Sequence, residues 1–128
     1  MNNNLSVAIL AKLEAKPGKE SEVEAFLRSV AALANEETTT PVWFALKLGD
    51  STYGIFDAFA DEVGRSAHLS GPIAKALMAR WSELLVEAPK IETLRFWLQR
   101  LLIKPSLQLR WQRSVLTIAV FARTYTTQ

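Results

Sequence analysis

VWFALKLGDSTYGIFDAFA, residues 42–60, is the stretch on which the fold turns. Two apolar, aromatic-rich runs flank Gly49-Asp50-Ser51, and turn residues between such runs are the local signature of a β-hairpin. The second run is apolar on both parities, Ile55 and Phe59 against Phe56, Ala58 and Ala60, so both faces of this strand are expected to be covered. Phe56 and Phe59 fall on opposite faces and cannot line one cavity. Asp57 is the single charge inside that run.

Upstream, LSVAILAKLE (5–14) alternates Leu5, Val7, Ile9, Ala11 and Leu13 against Ala8 and Leu10, which predicts another largely covered strand. Pro17 and Gly18 end it, and acids in the next turn suit the positive end of a helix dipole. Val23, Phe26, Leu27, Val30, Leu33 and Ala34 then recur at helical spacing. The run Thr38–Thr40 and Pro41 closes that helix. Downstream, Asp61 is a plausible N-cap for a short helix, DEVGRSAHL, which Ser70-Gly71-Pro72 breaks. A further helix puts Ile73, Leu77, Met78, Trp81 and Leu84–Leu85 on one side, and KIETLRFW after Pro89 is a last strand. The order β-α-β-β-α-β over about 95 residues predicts an α+β, ferredoxin-like fold with an antiparallel sheet. Helices cover one face of such a sheet. The other face, also apolar here, predicts a twofold homodimer with sheets packed face to face.

With 49% hydrophobic and 22% charged residues, the 128-residue chain has the balance of one soluble globular domain rather than a disordered segment. It has no cysteine, which excludes disulfides, thiolate metal sites and cysteine nucleophiles, and one histidine, which excludes a two-histidine metal site within one subunit. No apolar run reaches the roughly 18–20 residues of a membrane span. The opening MNNNLSVAIL lacks the basic and apolar regions of a signal peptide, so a cytoplasmic protein is expected. No phosphate-cradling glycine loop surrounds Gly49, Gly54, Gly64 or Gly71, and Ser66 and Ser70 sit in no nucleophile elbow.

VAILAKLEAKPGKESEVEAFL (7–27) followed by WFALKLGDSTYGIFDAFADEVGRSAHLSGPIAKALM (43–78) resembles the antibiotic biosynthesis monooxygenase family, quinol monooxygenases included. The resemblance covers roughly residues 5–94. It implies a dimeric α/β barrel that oxidises a small aromatic or quinol-type substrate with molecular oxygen, without metal, flavin or other cofactor. In that mechanism the substrate carbanion itself reduces oxygen. The family's strand-three acid, usually glutamate, falls on Asp57, and its following tryptophan on Phe59. The first histidine of its paired helix histidines falls on His68 and the second on Ile73, so two polar positions are replaced. An asparagine used by some members falls near Asn4.

Two candidate catalytic residues emerge. His68 can take a phenolic proton near neutral pH, and its alternative role is to cap the end of its short helix. Asp57 either orients His68 or holds substrate, or else makes a structural salt bridge at the dimer interface. A carboxylate there needs a partner such as Arg65, Lys47 or a backbone amide. Trp43, Tyr53, Phe59, Met78 and Trp81 are candidate walls of a substrate pocket, with core packing as the alternative for each. Tyr53 stands beside the turn, where exposure is expected. Glu20, Glu22 and Glu24 read as a solvated helix face.

Residues 1–92 hold nine basic and all thirteen acidic side chains, a balance of −4; residues 93–128 hold six basic and none acidic. The expected organisation is therefore a domain over 1–97 and a basic extension over 98–128. That extension reads first as an added hairpin or arm, then as a nucleic-acid or membrane-surface contact, then as translation of a shifted frame. Neither nucleic acid nor membrane is the expected partner of the domain. The alternative to an oxygenase is a non-catalytic, small-molecule-binding or stress-associated dimer of the same fold.

Overall fold

The computed structural model describes residues 4–99. Its elements are β1 (Val7–Glu14), α1 (Glu20–Ala34), β2 (Val42–Lys47), β3 (Thr52–Phe59), α2 (Glu62–Leu69), α3 (Pro72–Leu84) and β4 (Lys90–Arg95). The four strands form one antiparallel sheet in the order β2-β3-β1-β4, the ferredoxin-like arrangement expected. The extension assigned to 98–128 lies, apart from Leu98 and Gln99, outside the described residues.

Local chemistry sets most boundaries. Gly18, at φ 82°, turns the chain between β1 and α1 in a region that L side chains avoid. Glu20 and Glu22 occupy the first turn of α1, where the helix dipole favours anions. That helix ends at Ala34, before the Thr38–Pro41 run, leaving a loop of residues 35–41 that proves central to the site. The Asp61 side chain accepts from the Gly64 amide at 3.0 Å, the N-cap bond that starts α2. Pro72 occupies the first turn of α3, where its missing amide hydrogen costs nothing.

Strand register sorts the side chains. Val7, Ile9, Ala11 and Leu13 of β1 lie beside Phe59, Asp57, Ile55 and Tyr53 of β3. On that side Ala11, Leu13, Tyr53 and Ile55 pack with Val23, Phe26, Leu27 and Val30 of α1 and with Ile73, Leu77 and Leu84 of α3. Val7, Ile9 and Phe59 make a second buried cluster. The opposite parity carries Leu10, Phe44, Phe56 and Leu94, a sheet face without helices; Phe44 is 54% exposed and its ring stacks on Phe56 at 6.5 Å. Met78, expected on the packed side of α3, is instead 56% exposed. The buried edge of α3 is Ile73, Leu77 and Leu84, a narrower arc than hydrophobic spacing alone suggests.

Candidate functional site

The third strand brings Asp57 to the helix side of the sheet, in the middle of an apolar run, where an unpartnered carboxylate would be costly. His68, in the last turn of α2, supplies the partner: its Nε2 stands 2.9 Å from Asp57 Oδ2. Its Nδ1 stands 2.7 Å from Glu37 Oε2, on the loop between α1 and β2. The Thr40 hydroxyl donates to the same Glu37 oxygen at 2.7 Å. Phe59 closes one side of the imidazole, with ring centres 5.4 Å apart. The imidazole is only 6% exposed and Asp57 2%.

Close backbone approach makes this possible. A Cβ at Gly64 would stand 3.0 Å from the Thr39 carbonyl oxygen, so only glycine lets α2 lie this near the 35–41 loop. The loop then delivers Glu37 and Thr40 to a histidine that Asp57 approaches from below.

The electrostatics follow from two carboxylates around one ring. Burial works against a charged imidazole, but the hydrogen bonds and charges of Asp57 and Glu37 outweigh it and raise the His68 pKa above its ordinary value. At Asp57, by contrast, burial prevails and raises the pKa against the opposing bond and charge of His68. An imidazolium between two carboxylates leaves the cluster with a formal charge of −1. With both ring nitrogens engaged, His68 has no free lone pair with which to accept a proton. Proton-accepting capacity lies instead at Asp57 Oδ1 and Glu37 Oε1, both buried and without a hydrogen-bond partner among the described residues. Trp43 Nε1, an N–H donor, is also buried without a hydrogen-bond partner among the described residues, and Trp43 stands directly across from Asp57 on the neighbouring strand.

A cleft of about 420 Å³ runs between α1 and the edge strand β2; it shares Trp43, the strand neighbour of Asp57, but none of Glu37, Asp57 and His68 lines it. Leu27, Ala31, Trp43, Ala45 and Leu46 give it an apolar floor; Glu24, Arg28, Lys47 and the Tyr53 ring supply the polar end. Tyr53, expected near solvent, is 2% exposed, and its hydroxyl donates to Glu24 at 2.9 Å. Glu24 also binds Lys47 at 2.9 Å, so it is not a bare solvated carboxylate.

The residues picked from sequence therefore divide. His68 and Asp57 meet, and Trp43 and Tyr53 share the cleft. Phe59 packs under His68, Met78 points outward, and Trp81 packs against the core from α3, so the five aromatic and soft residues do not line one pocket. Asp57 is not on the open sheet face where an interface salt bridge would need it. Its partner is neither Arg65, which pairs with Glu62, nor Lys47. Asn4 is exposed ahead of β1, and Ile73 is core. Glu37 was missed: a carboxylate in a loop carries no periodic signal, and only contact with a buried histidine marks it.

Searches with family models and against curated proteins find no match. Among solved structures, the NE2512 protein of unknown function from Nitrosomonas europaea is 50% identical, with a TM-score of 0.73, over 78% of this chain and 97% of that one. A protein provisionally named an antibiotic biosynthesis monooxygenase, from Caulobacter crescentus, is 22% identical over 72% of this chain and 90% of its own, with a TM-score of 0.63. Another of that provisional name, from Bacteroides thetaiotaomicron, is 18% identical over 77% and 96%, with a TM-score of 0.62.

Proposed function

Since this chain belongs to the family of the Nitrosomonas europaea NE2512 protein and has the fold of the antibiotic biosynthesis monooxygenases, we propose that it oxidises a small phenolic or quinol-type aromatic with molecular oxygen. The observation that carries this reading is the buried Glu37–His68–Asp57 cluster, in which two carboxylate oxygens without a hydrogen-bond partner among the described residues are able to accept a proton. The substrate ring lies in the cleft against Trp43, the strand neighbour of Asp57; the cluster side chains do not line this cleft, so the ionising hydroxyl reaches Asp57 Oδ1 only when the intervening side chains move aside. Loss of that proton to the cluster takes its formal charge from −1 to zero and leaves an electron-rich anion on the substrate. That anion supplies the electrons that reduce oxygen: one oxygen atom enters an anthrone-type CH₂ as a carbonyl and the other leaves as water, with both CH₂ hydrogens. His68 is a positioning residue here, charged and held between its carboxylates, rather than the base itself.

The rest of the reading is structural. The open sheet face with Leu10, Phe44, Phe56 and Leu94 packs against a second copy, because a contiguous apolar face is costly in water. The domain ends near residue 97, and the protein resides in the cytoplasm. Among the described residues, no helix is long and apolar enough to cross a membrane.

A non-catalytic binding protein is favoured by one observation: both nitrogens of His68 are occupied and the ring is buried. Oxygen uptake by metal-free protein with reduced naphthoquinones and anthrones separates the two. Uptake above autoxidation that falls in Asp57→Asn and His68→Gln supports the oxygenase. No uptake across the panel, from folded protein, leaves the binding protein.

A further inference from the structure

The loop of residues 35–41 joins Ala34, the end of α1, to Val42, the start of β2, the two elements that wall the cleft. Asn35, Glu36, Thr38, Thr39 and Pro41 are exposed; Thr40 is buried and Glu37 half-buried. The amides of Asn35, Glu36 and Glu37 bond back to carbonyls of α1. Among the described residues, the loop's side chains hydrogen-bond another element at one atom, His68 Nδ1, with Glu37 at 2.7 Å and Thr40 at 3.4 Å. The loop is thus strapped over the cluster through a single nitrogen.

That nitrogen changes character with one proton. An imidazolium donates from both nitrogens, to Asp57 on one side and to Glu37 on the other. A neutral ring has one N–H, so one carboxylate then faces a lone pair at hydrogen-bond distance, which repels it. The Asp57 side chain is 3% exposed and fixed in the interior of β3, whereas that of Glu37 is 14% exposed and stands on a loop. Glu37 is therefore the partner that moves out into water. A Thr40 hydroxyl that turns to the bare Nδ1 gives up its bond to Glu37, so it does not make good the loss.

Asp57 and Glu37 are the charged groups that act on the ring. On α2, Glu62 pairs with Arg65, and Asp61 caps the Gly64 amide. Lys75, Arg80 and Glu83 of α3 are exposed. On β1, Lys12 is exposed and Glu14 is bonded to Ser51 and Thr52.

We propose that the 35–41 loop is a proton-operated strap, closed over the cluster while His68 is an imidazolium and open once the ring is neutral. In the open state Glu37 is solvated and His68 Nδ1 presents a free lone pair, the proton acceptor that the closed state lacks. Burial favours the neutral ring, but Asp57 and Glu37 outweigh it and hold the His68 pKa above its ordinary value. The strap therefore stays shut at low pH and is released as the pH rises through the folded pKa. It operates with or without turnover, so success or failure of the oxygen assay leaves it standing.

Diethyl pyrocarbonate, which acylates a neutral imidazole nitrogen, reads the state of the strap on full-length protein. With one histidine in the chain, the absorbance of the acylated imidazole reports His68 alone. An NMR titration of each protein sets the pH above its own His68 midpoint, so that every ring compared is neutral. Glutamine at position 37 offers both a donor and an acceptor, and so holds Nδ1 whether or not the ring is charged. Unaltered protein should react about tenfold faster than Glu37→Gln, the worth of one hydrogen bond to the loop. Glu37→Ala, with no tie to the ring, should react at least as fast as unaltered protein. The amide signals of Thr38, Thr39 and Thr40 should shift with the His68 midpoint in unaltered protein and stay still in Glu37→Gln. Circular dichroism checks that each variant is folded, and the comparison with Glu37→Gln suffices if Glu37→Ala is not. A neutral His68 as protected in unaltered protein as in Glu37→Gln overturns the proposal, as do loop amides that ignore the titration of the ring.

Discussion

Replacing Asp57 with asparagine isolates the charge this side chain lends the buried cluster. The amide keeps the shape, and its oxygen still accepts from His68 Nε2 where the carboxylate now stands at 2.9 Å. While His68 is protonated, the loss is the difference between a charge-assisted and a neutral hydrogen bond, about 1 kcal/mol. A gain opposes it, because burial raises the Asp57 pKa and asparagine removes the cost of burying that carboxylate. The balance depends on pH through His68. Burial disfavours its charged form, but Asp57 and Glu37 outweigh burial, so its folded pKa lies above the reference value of 6.5. A histidine raised in this way stabilises the fold fully below its unfolded pKa, and that contribution is lost as pH rises through the folded value. Asp57→Asn should therefore cost about 1 kcal/mol below the unfolded pKa of His68 and nothing, or a negative amount, once the pH has passed its folded pKa.

Two measurements make the test close on itself. The chain has one histidine, so an imidazole NMR titration reports His68 without assignment. Urea unfolding of both proteins at each pH gives the two costs. Each unit by which asparagine lowers the His68 pKa must reappear as about 1.36 kcal/mol of difference between those costs. A wild-type His68 titrating at or below its reference value, or a cost that is the same at both pH values, refutes the charged-cluster account.

Phe59→Ala removes a fully buried ring that packs on His68 and on Val7 and Ile9. Chemical denaturation should show a loss of about 3–5 kcal/mol, and a loss under about 1 kcal/mol would mean that the cluster is not packed as described. Phe44→Glu places a charge on the open sheet face at a half-exposed position. Sedimentation velocity should show a dimer becoming monomer with the fold intact by circular dichroism; a dimer that persists would move the interface elsewhere.

The elements of the fold were legible wherever a local rule set them. The hairpin of residues 42–60 has its turn residues where the structure turns, between Lys47 and Thr52. Asp61 caps α2, and Pro72 opens α3, as short-range hydrogen bonding and φ restriction demand. Helix α1 stops at Ala34 rather than running to the threonines, since fraying is settled by what the last turn packs against. Met78 shows the same limit: spacing places it near the apolar stripe of α3, but the width of the buried arc depends on how closely α1 and the sheet approach.

Of the site, His68 and Asp57 stood out in the chain as the only histidine and as a charge in an apolar strand. Their pairing, eleven residues apart, was one option among several, because period and composition do not say which helix end faces which strand residue. Glu37 carried no signal at all. It joins the cluster because glycine at position 64 lets α2 close on the 35–41 loop, a distance between separate elements that no single segment encodes. The cleft is likewise a product of α1 lying beside the edge strand, which gathers Arg28, Trp43 and Tyr53 from three elements. Sequence by itself determined the strands, helices and caps, since each rests on hydrogen bonds and side-chain periodicity within a few residues. Tertiary structure decided which carboxylates share the histidine and where a ligand fits, since those follow from burial and charge brought together across the chain.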